Sequence, residues 1–238
     1  MSLEQVKAGL TLLSWWISLM VIPLSSRLAL LVCRYSALKP NCFTTCSLLL
    51  RLITAALFLL GEPVMYVAGA FSFYFACVFD AIDGPVARLT GQATEFGRYF
   101  DHVSDLVGDF LILAALAFGR GMLCSSLVVG MLFMHIAESY ISYLTGIALQ
   151  RRGTFCGSGK IRNSLVLVYA RYRHFFFSRN LKSFFSFPDY TAATFILFPL
   201  LGSPEKGIKI GFFFLLATTL YTVFSTFISL HTDEHHFP

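Results

Sequence analysis

Acidic residues are concentrated in one short part of this chain. Of its 13 acidic residues, six lie between positions 80 and 109, namely Asp80, Asp83, Glu95, Asp101, Asp105 and Asp109. Residues three or four positions apart share one face of a helix, so two neighbouring helices would bring carboxylates from both together. Because such carboxylates repel one another, we expect cations between them. Oxygen ligands without a soft partner favour magnesium, manganese or calcium over zinc.

Small residues and one arginine lie between the two acidic pairs. Gly84, Ala87 and Gly97 would let a bulky ligand approach the backbone closely, and Arg88 can neutralise a phosphate. Two metal ions held by carboxylates around a diphosphate are an arrangement for in-line displacement at phosphorus. The alternative, aspartates that cap helices at a membrane surface, accounts for one or two of these acids but not for the whole array.

The composition indicates what must position these residues. The chain has 238 residues, of which 56% are hydrophobic and only 13% charged, and its mean hydropathy is +0.71. Soluble domains have roughly 25% charged residues, so the sequence predicts an all-α integral membrane protein. At about 20 residues per span, the length allows about six helices. The net charge of +5 comes without an aromatic-interleaved basic domain, so no nucleic-acid partner is expected.

The hydrophobic pattern predicts six transmembrane helices preceded by interfacial helices. The interfacial helices are expected at 3–20 and 24–36, separated by the break at Pro23–Arg27. The domains would then be 1–40, an N-terminal interfacial segment, and 41–238, a six-helix catalytic domain with its acidic motif at 80–105. The predicted spans are 42–60, 64–89, 97–118, 122–149, 188–202 and 207–231.

Basic residues are distributed unevenly between the two sides of these spans. Fourteen lie on the side of the termini and three on the side of the short turns, with Arg51 inside a span. The positive-inside rule therefore predicts a multi-pass membrane protein with both termini in the cytoplasm. A bacterial inner membrane is favoured, and an endoplasmic reticulum membrane is the alternative.

The motif as a whole resembles a known family signature. The pattern Asp80-x2-Asp83-Gly84-x2-Ala87-Arg88-x8-Gly97-x3-Asp101-x3-Asp105 is similar, without a missing position, to that of the CDP-alcohol phosphotransferases, also called CDP-alcohol phosphatidyltransferases. Pro40-Asn41 followed by threonines resembles the Pro-Asn-x-x-Thr element that opens the first span in many members. The six-helix plan with an N-terminal interfacial helix is also that of the family.

The resemblance implies an enzyme of phospholipid biosynthesis. It would move a phosphatidyl group from CDP-diacylglycerol to a small polar alcohol, release CMP, and use Mg2+ or Mn2+, with two ions expected. The alternative is the choline- or ethanolamine-type reaction, in which a CDP-linked alcohol is donated to a lipid hydroxyl. An ion or metal transporter is a remote alternative, because it would need acids distributed through the bilayer. The resemblance also admits a homodimer.

Site roles follow from the resemblance position by position. Asp80, Asp83 and Asp101 would be metal ligands, and Asp105 would be the catalytic general base that also contacts a metal. The CDP-binding residues would be Asp80, Gly84, Ala87, Arg88 and Gly97. A neutral alcohol is a poor nucleophile until a positioned base removes its proton, so a base is what the chemistry requires.

Contacts to the acceptor or to an anion are predicted at Asp109, Lys160 and Arg162. Asp109 lies one helical turn beyond Asp105, whereas Lys160 and Arg162 belong to a segment, 157–162, that resembles a glycine-lysine element of the glycerophosphate branch. A basic loop on anionic lipid is the alternative for that segment.

Further polar residues fall inside the predicted spans. Glu138 and His135 would face a polar cavity or pair with Arg51, and the pairing is preferred. His102 is expected to pack rather than to catalyse. Thr145 and Ile147 stand where the inositol-phosphate branch has two basic residues, which argues against an inositol phosphate acceptor.

Overall fold

The computed structural model describes residues 13–35, 38–151, 171–172 and 174–234. Within these residues the regular structure is helical, with one isolated bridge between Leu13 and Leu181. The longer helices, numbered in chain order, are α1 (Ile17–Tyr35), α2 (Pro40–Leu59), α3 (Pro63–Leu89), α4 (Glu95–Gly119), α5 (Ser126–Arg151), α6 (187–200) and α7 (Pro204–Glu234).

The predicted all-α membrane architecture is confirmed. Among the described residues, six helices are long and apolar enough to cross a membrane: Ile17–Tyr35, Pro40–Leu59, Pro63–Leu89, Glu95–Gly119, Ser126–Ala148 and Pro204–Ile228. Five of them match predicted spans to within a few residues. The protein is therefore a multi-pass membrane protein.

The predicted break at Pro23–Arg27 is wrong. α1 begins as a π-helix at Ile17–Val21 and continues as an α-helix over Ile22–Tyr35, through Pro23. Proline lacks an N–H and clashes with the carbonyl four residues earlier in an α-helix, and the preceding π-helical turn changes that register. The amide of Ile22 donates to the carbonyl of Ile17, so the helix continues without a gap. Residues 1–12 lie outside the described residues, and the interfacial placement of 1–40 stays a prediction.

The predicted span at 188–202 forms an irregular helix of nearly the predicted length. α6 consists of an α-helical turn at Phe187–Ala192, a π-helix at Ala193–Leu197 and a last turn at Phe198–Leu200. At about 1.5 Å per residue, α6 is roughly 21 Å long. This is shorter than the ~30 Å hydrocarbon core of a bilayer.

The turns on one side of the bundle are tight and lie close together. Gly61, with φ of 72°, follows α2, and a Cβ added to it would lie 2.8 Å from the carbonyl oxygen of Gly119. Arg120, after α4, pairs with Glu205 at the start of α7. The contact confirms that two of the turns predicted on one side, those at 119–121 and 202–204, lie together. We call this side the turn side and the opposite one the site side.

α2 packs between α3 and α4, and this three-helix unit carries the site. Hydroxyl groups connect α2 to α3: Ser47 donates to the carbonyl of Ala76 at 3.0 Å, and Ser72 donates to that of Leu50 at 3.0 Å. Nearer the turn side, the fully buried ring of Phe58 fills the space beside Gly69, where a Cβ would lie 2.4 Å from the ring. The backbones of α2 and α3 therefore approach closely, as small residues allow in membrane helices.

Candidate active site

Three aspartates from α3 and α4 lie together on the site side. Asp80, Asp101 and Asp105 each offer a carboxylate oxygen, and these atoms all lie within 4.8 Å of one another. The short connection after α3 reverses the chain through Gly91, whose φ is 69°, a conformation that glycine adopts without strain. The helical spacing and this short turn bring together side chains that are 25 positions apart in sequence.

Asp83 lies one turn further along α3 and outside this group of three. Its Oδ2 accepts a hydrogen bond of 2.6 Å from the hydroxyl of Thr44, near the start of α2. The Asp83 side chain is buried, and the hydroxyl compensates part of the cost of burying its charge. The threonine of the Pro-Asn-x-x-Thr element thus holds one carboxylate of the acidic motif.

Arg51 of α2 is the cation at the centre of the acidic cluster. Its Nη1 lies 2.7 Å from Oδ1 of Asp105 and 3.5 Å from Oδ1 of Asp80, and its Nε lies 3.0 Å from Oδ1 of Asp109. Nη1 also donates to the hydroxyl of Ser47. The side chain is only 4% exposed. A buried cation therefore connects three carboxylates that the sequence had placed on two helices.

The preferred pairing of Arg51 with Glu138 or His135 is wrong. His135 Nδ1 is 3.2 Å from the hydroxyl of Tyr190, and Glu138 accepts hydrogen bonds from Ser142 and Thr222. The reason for the error is that Arg51 faces α3 and α4, whereas His135 and Glu138 lie on α5 and contact α6 and α7. The other alternative, that these residues face a polar cavity, holds for Glu138, which lines a cavity that it shares with Asp105.

Gly108 makes room for Arg51, and no motif in the sequence identified it. A Cβ at this position would lie 2.5 Å from Cδ and 3.1 Å from Cβ of Arg51. The arginine stem therefore lies directly against the backbone of α4. The available signal was the position of Gly108, which directly precedes Asp109 on a helix that carries several of the acids.

The chemistry of this donor set fits a divalent cation. The described residues of the cluster contribute five carboxylates, on Asp80, Asp83, Asp101, Asp105 and Asp109, against the one guanidinium of Arg51. Oδ1 of Asp101 is buried and accepts no hydrogen bond from any described residue. Oxygen atoms with uncompensated negative charge are the ligands that Mg2+ and Mn2+ prefer. The site therefore fits the expected class of metal.

The small residues of the motif lie at the site-side ends of α3 and α4. Arg88 is exposed, and its Nη1 would be 3.3 Å from a Cβ added to Gly84. Ala87 lies on the same last turns of α3 and is partly buried. The other glycine, Gly97, has the carbonyl oxygen of the Asn41 side chain 3.2 Å from its Cβ position, so it brings the starts of α2 and α4 together.

A cavity of about 750 Å³ extends from the acidic cluster between α3, α4, α5 and α7. Asp80, Asp105 and Asp109 line it together with Arg51, and Glu138 lines it from α5. His102 also borders it, and the ring of this exposed residue stacks on Tyr143 at 5.4 Å between centroids. The predicted anion contacts Lys160 and Arg162 lie outside the described residues.

Comparisons with known proteins point to one family. A family profile described as CDP-alcohol phosphatidyltransferase matches residues 37–224. A phosphatidylinositol phosphate synthase of Mycobacteroides abscessus is 38% identical over 39% of this chain and 42% of its own length. A CDP-diacylglycerol–serine O-phosphatidyltransferase of Helicobacter pylori is 28% identical over 58% of this chain and 64% of its own. The chain thus spans about half of the length of these curated relatives.

The fold has a counterpart among solved structures. The crystal structure of Mycobacterium tuberculosis phosphatidylinositol phosphate synthase with CDP-DAG bound superposes with a TM-score of 0.50 at 21% sequence identity. The match covers 88% of this chain and 93% of that one. At this identity the likeness shows a shared fold.

Proposed function

Because this chain belongs to the CDP-alcohol phosphatidyltransferase family, we propose that it transfers a phosphatidyl group from CDP-diacylglycerol to the hydroxyl of a small polar alcohol and releases CMP. The observation that carries the proposal is the convergence of Asp80, Asp101 and Asp105 within a complete signature. The names of the curated relatives, one a phosphatidylinositol phosphate synthase and one a serine O-phosphatidyltransferase, support phosphatidyl chemistry. Their acceptors differ, so these names do not identify the acceptor of this chain.

Asp80, Asp101 and Asp105, with Asp83 one turn further along α3, would hold two Mg2+ or Mn2+ ions. The bound ions would supply the positive charge that a diphosphate needs beside these carboxylates. Thr44 keeps Asp83 in position through its 2.6 Å hydrogen bond. The rigid packing of α2 on α3 and α4 keeps the carboxylates close before any ligand binds.

Asp105 is the proposed general base. It would take the proton of the acceptor hydroxyl as the hydroxyl oxygen forms a bond to the phosphorus of the phosphatidyl group. The bond from that phosphorus to the bridging oxygen breaks, and CMP leaves with the electron pair. The 2.7 Å contact with Arg51 fixes the orientation of the Asp105 carboxylate, and a positioned base of this kind accelerates a reaction by about 10²–10⁴-fold.

The proposed donor site lies at the site-side ends of α3 and α4. Gly84, Ala87 and Gly97 leave the backbone accessible, and Asp80 would contact both the metal and the CDP moiety. Arg88 is exposed at the end of α3, where its guanidinium can bind a phosphate in a bidentate manner. Lys160 and Arg162 are proposed as further anion contacts.

The direct test is CMP release by purified protein with Mg2+ or Mn2+. We expect release from CDP-diacylglycerol in the presence of alcohols, and none from CDP-choline or CDP-ethanolamine with diacylglycerol. The opposite donor preference would replace our proposal by the choline- and ethanolamine-type reaction. Absence of release from every CDP-linked donor would overturn the proposed function altogether.

The orientation and assembly of the protein are also proposals. The excess of basic residues on the site side supports a cytoplasmic location for both termini and for the acidic cluster. The bacterial origin of the curated relatives supports the inner membrane of a bacterium. We further propose residues 1–40 as an interfacial segment, 41–238 as the catalytic domain, and a homodimer as the assembled form.

A further inference from the structure

Glu138 of α5 is a buried carboxylate that the proposed reaction does not use. It lines the same cavity as Asp80 and Asp105. It lies on α5, whereas the acidic motif lies on α3 and α4. Its side chain is only 2% exposed. An ionisable residue buried within a membrane helix is costly and is expected to have a functional partner.

The protein satisfies only one of the two oxygens of Glu138. Oε1 accepts hydrogen bonds from Ser142 at 2.9 Å and from Thr222 at 3.0 Å. The Thr222 hydroxyl has a single proton and also lies 3.0 Å from the carbonyl of Thr218, so it cannot donate to both at once. Oε2 is buried and accepts no hydrogen bond from the described residues.

No described cation forms a close ion pair with this carboxylate. Lys182 lines the same cavity and interacts electrostatically with Glu138, but the two are not joined by an ion pair within 4.0 Å in the described part of the chain. Arg51 is occupied by Asp80, Asp105 and Asp109. A positively charged group on a ligand would therefore give Oε2 of Glu138 the direct contact that the described residues do not make.

Hydroxyl groups line the cavity around Glu138, and Lys182 is the described cation that acts on this carboxylate. Ser142, Thr145, Thr222 and Thr226 border the cavity, and the hydroxyls of Thr145 and Thr226 are 3.1 Å apart and bond to each other. Such a lining suits a small polar ligand. It does not provide the clustered positive charge that binds a phosphorylated acceptor.

We propose that Glu138 binds the ammonium group of an amino-alcohol acceptor, a molecule of the ethanolamine or serine class. The inference rests on the proposed function, because the hydroxyl of the same molecule is the one that Asp105 deprotonates. Oε2 of Glu138 accepts a charge-assisted hydrogen bond from the ammonium, while Oε1 is held by the α5 and α7 hydroxyls. The residue thus determines which alcohol enters the cavity and takes no part in bond making.

A comparison of two nearly isosteric acceptors tests the proposal in the unmodified protein. Ethanolamine and ethylene glycol differ in the replacement of an ammonium by a hydroxyl. With CDP-diacylglycerol and Mn2+, we expect KM for ethanolamine to be lower by about tenfold or more, in line with a charged hydrogen bond in a buried site. Serine is assayed in parallel, because it carries the same ammonium with an added carboxylate. Equal KM values for ethanolamine and ethylene glycol would overturn the proposal.

A variant pair locates the effect at Glu138. Glu138→Gln should raise KM for the amino alcohol by about tenfold or more, and should change KM for ethylene glycol much less. Glu62→Gln is the matched control, because Glu62 is exposed at the turn side before α3. An unchanged KM for the amino alcohol in Glu138→Gln would also overturn the proposal.

Two outcomes separate this inference from the proposed function. CMP release with a neutral or phosphorylated alcohol, but not with amino alcohols, would refute the role of Glu138 and leave the transferase intact. Absence of CMP release with every alcohol would refute the transferase itself. Thermal unfolding with ethanolamine and with ethylene glycol, in the absence of donor, provides a readout that does not need turnover, and we expect a higher Tm with ethanolamine.

Discussion

The Nη1 atom of Arg51 lies 2.7 Å from Oδ1 of Asp105, and the same guanidinium reaches Asp109 through Nε at 3.0 Å. One arginine of α2 therefore connects the proposed base to the next acid along α4. The side chains of Arg51 and Asp109 are both buried, so their pair is shielded from solvent and salt, whereas the Asp105 carboxylate is 37% exposed.

Replacing Arg51 should destabilise the protein. Arg51→Ala would leave Asp109 buried without its cation, which costs about 3–5 kcal/mol in comparable buried pairs. The measurement is thermal unfolding in detergent, where we expect a clearly lower Tm. Arg98→Ala is the control, because Arg98 forms an exposed pair with Glu95 and such pairs contribute little. Equal changes in Tm for the two variants would contradict the structural role of Arg51.

Gly108→Ala should act on Arg51 without removing a charge. A Cβ at 108 would lie 2.5 Å from Cδ of Arg51, so the arginine has to move away from Asp105 and Asp109. We expect a lower Tm and lower turnover. Gly130→Ala in α5 is the control, since its Cβ would meet Phe212 at an ordinary 3.5 Å. Unchanged Tm and turnover in Gly108→Ala would show that neither stability nor activity requires the close approach of α2 and α4.

Asp105→Asn should abolish most turnover while the fold is retained. Asparagine has nearly the same size but cannot accept the acceptor proton, and we expect a loss of about 10²–10⁴-fold. Asp109→Asn should cost much less, because its amide oxygen can still accept from Nε of Arg51. Turnover is measured at saturating metal, with CDP-diacylglycerol binding as the check on folding. Near-normal turnover of Asp105→Asn together with inactive Asp109→Asn would move the base by one helical turn.

Removal of divalent metal should stop CMP release. The carboxylates around Asp80, Asp101 and Asp105 cannot accommodate a diphosphate without positive charge between them. We expect chelation to abolish release and the addition of Mg2+ or Mn2+ to restore it. Full release by protein that has been freed of metal and kept in chelator would contradict the proposed metal site.

Two native cysteines can report the orientation in the membrane. Cys42 is exposed at the site side, near the start of α2, and Cys124 is exposed at the turn side, between α4 and α5. In single-cysteine variants on intact spheroplasts, a membrane-impermeant thiol reagent should label Cys124 and should label Cys42 only after lysis. The reverse pattern would invert the proposed topology.

The acidic cluster was predictable because its information is local. The spacings of Asp80, Asp101 and Asp105 place carboxylates on faces of two consecutive helices. The short turn between these helices makes them neighbours. The partner of Arg51 was not predictable, because it depends on which side of α2 faces α4. That choice is made by close approaches such as the one at Gly108, which become visible only when the helices are packed.

The course of the helices was predictable where a break has a local cause. Glycines and prolines at the turns ended α2, α4 and α6 where expected. Pro23 was misjudged because it follows a π-helix, whose extra residue changes the register of backbone hydrogen bonds and which has no sequence signature of its own. The segment 188–202 was misjudged as a span because its roughly 15 residues, at about 1.5 Å each, are too few to cross a hydrocarbon core of ~30 Å.

The division of the cavity between two parts of the chain gives the protein a modular character. Arg51 and every aspartate of the acidic cluster come from α2–α4, whereas Glu138 and the hydroxyl groups around it come from α5 and α7. The boundary between the two modules is the turn that follows Gly119. Substitutions beyond that boundary can therefore reshape one end of the cavity while every carboxylate of the cluster keeps its place, and a chimera joined at this turn would exchange one module without the other.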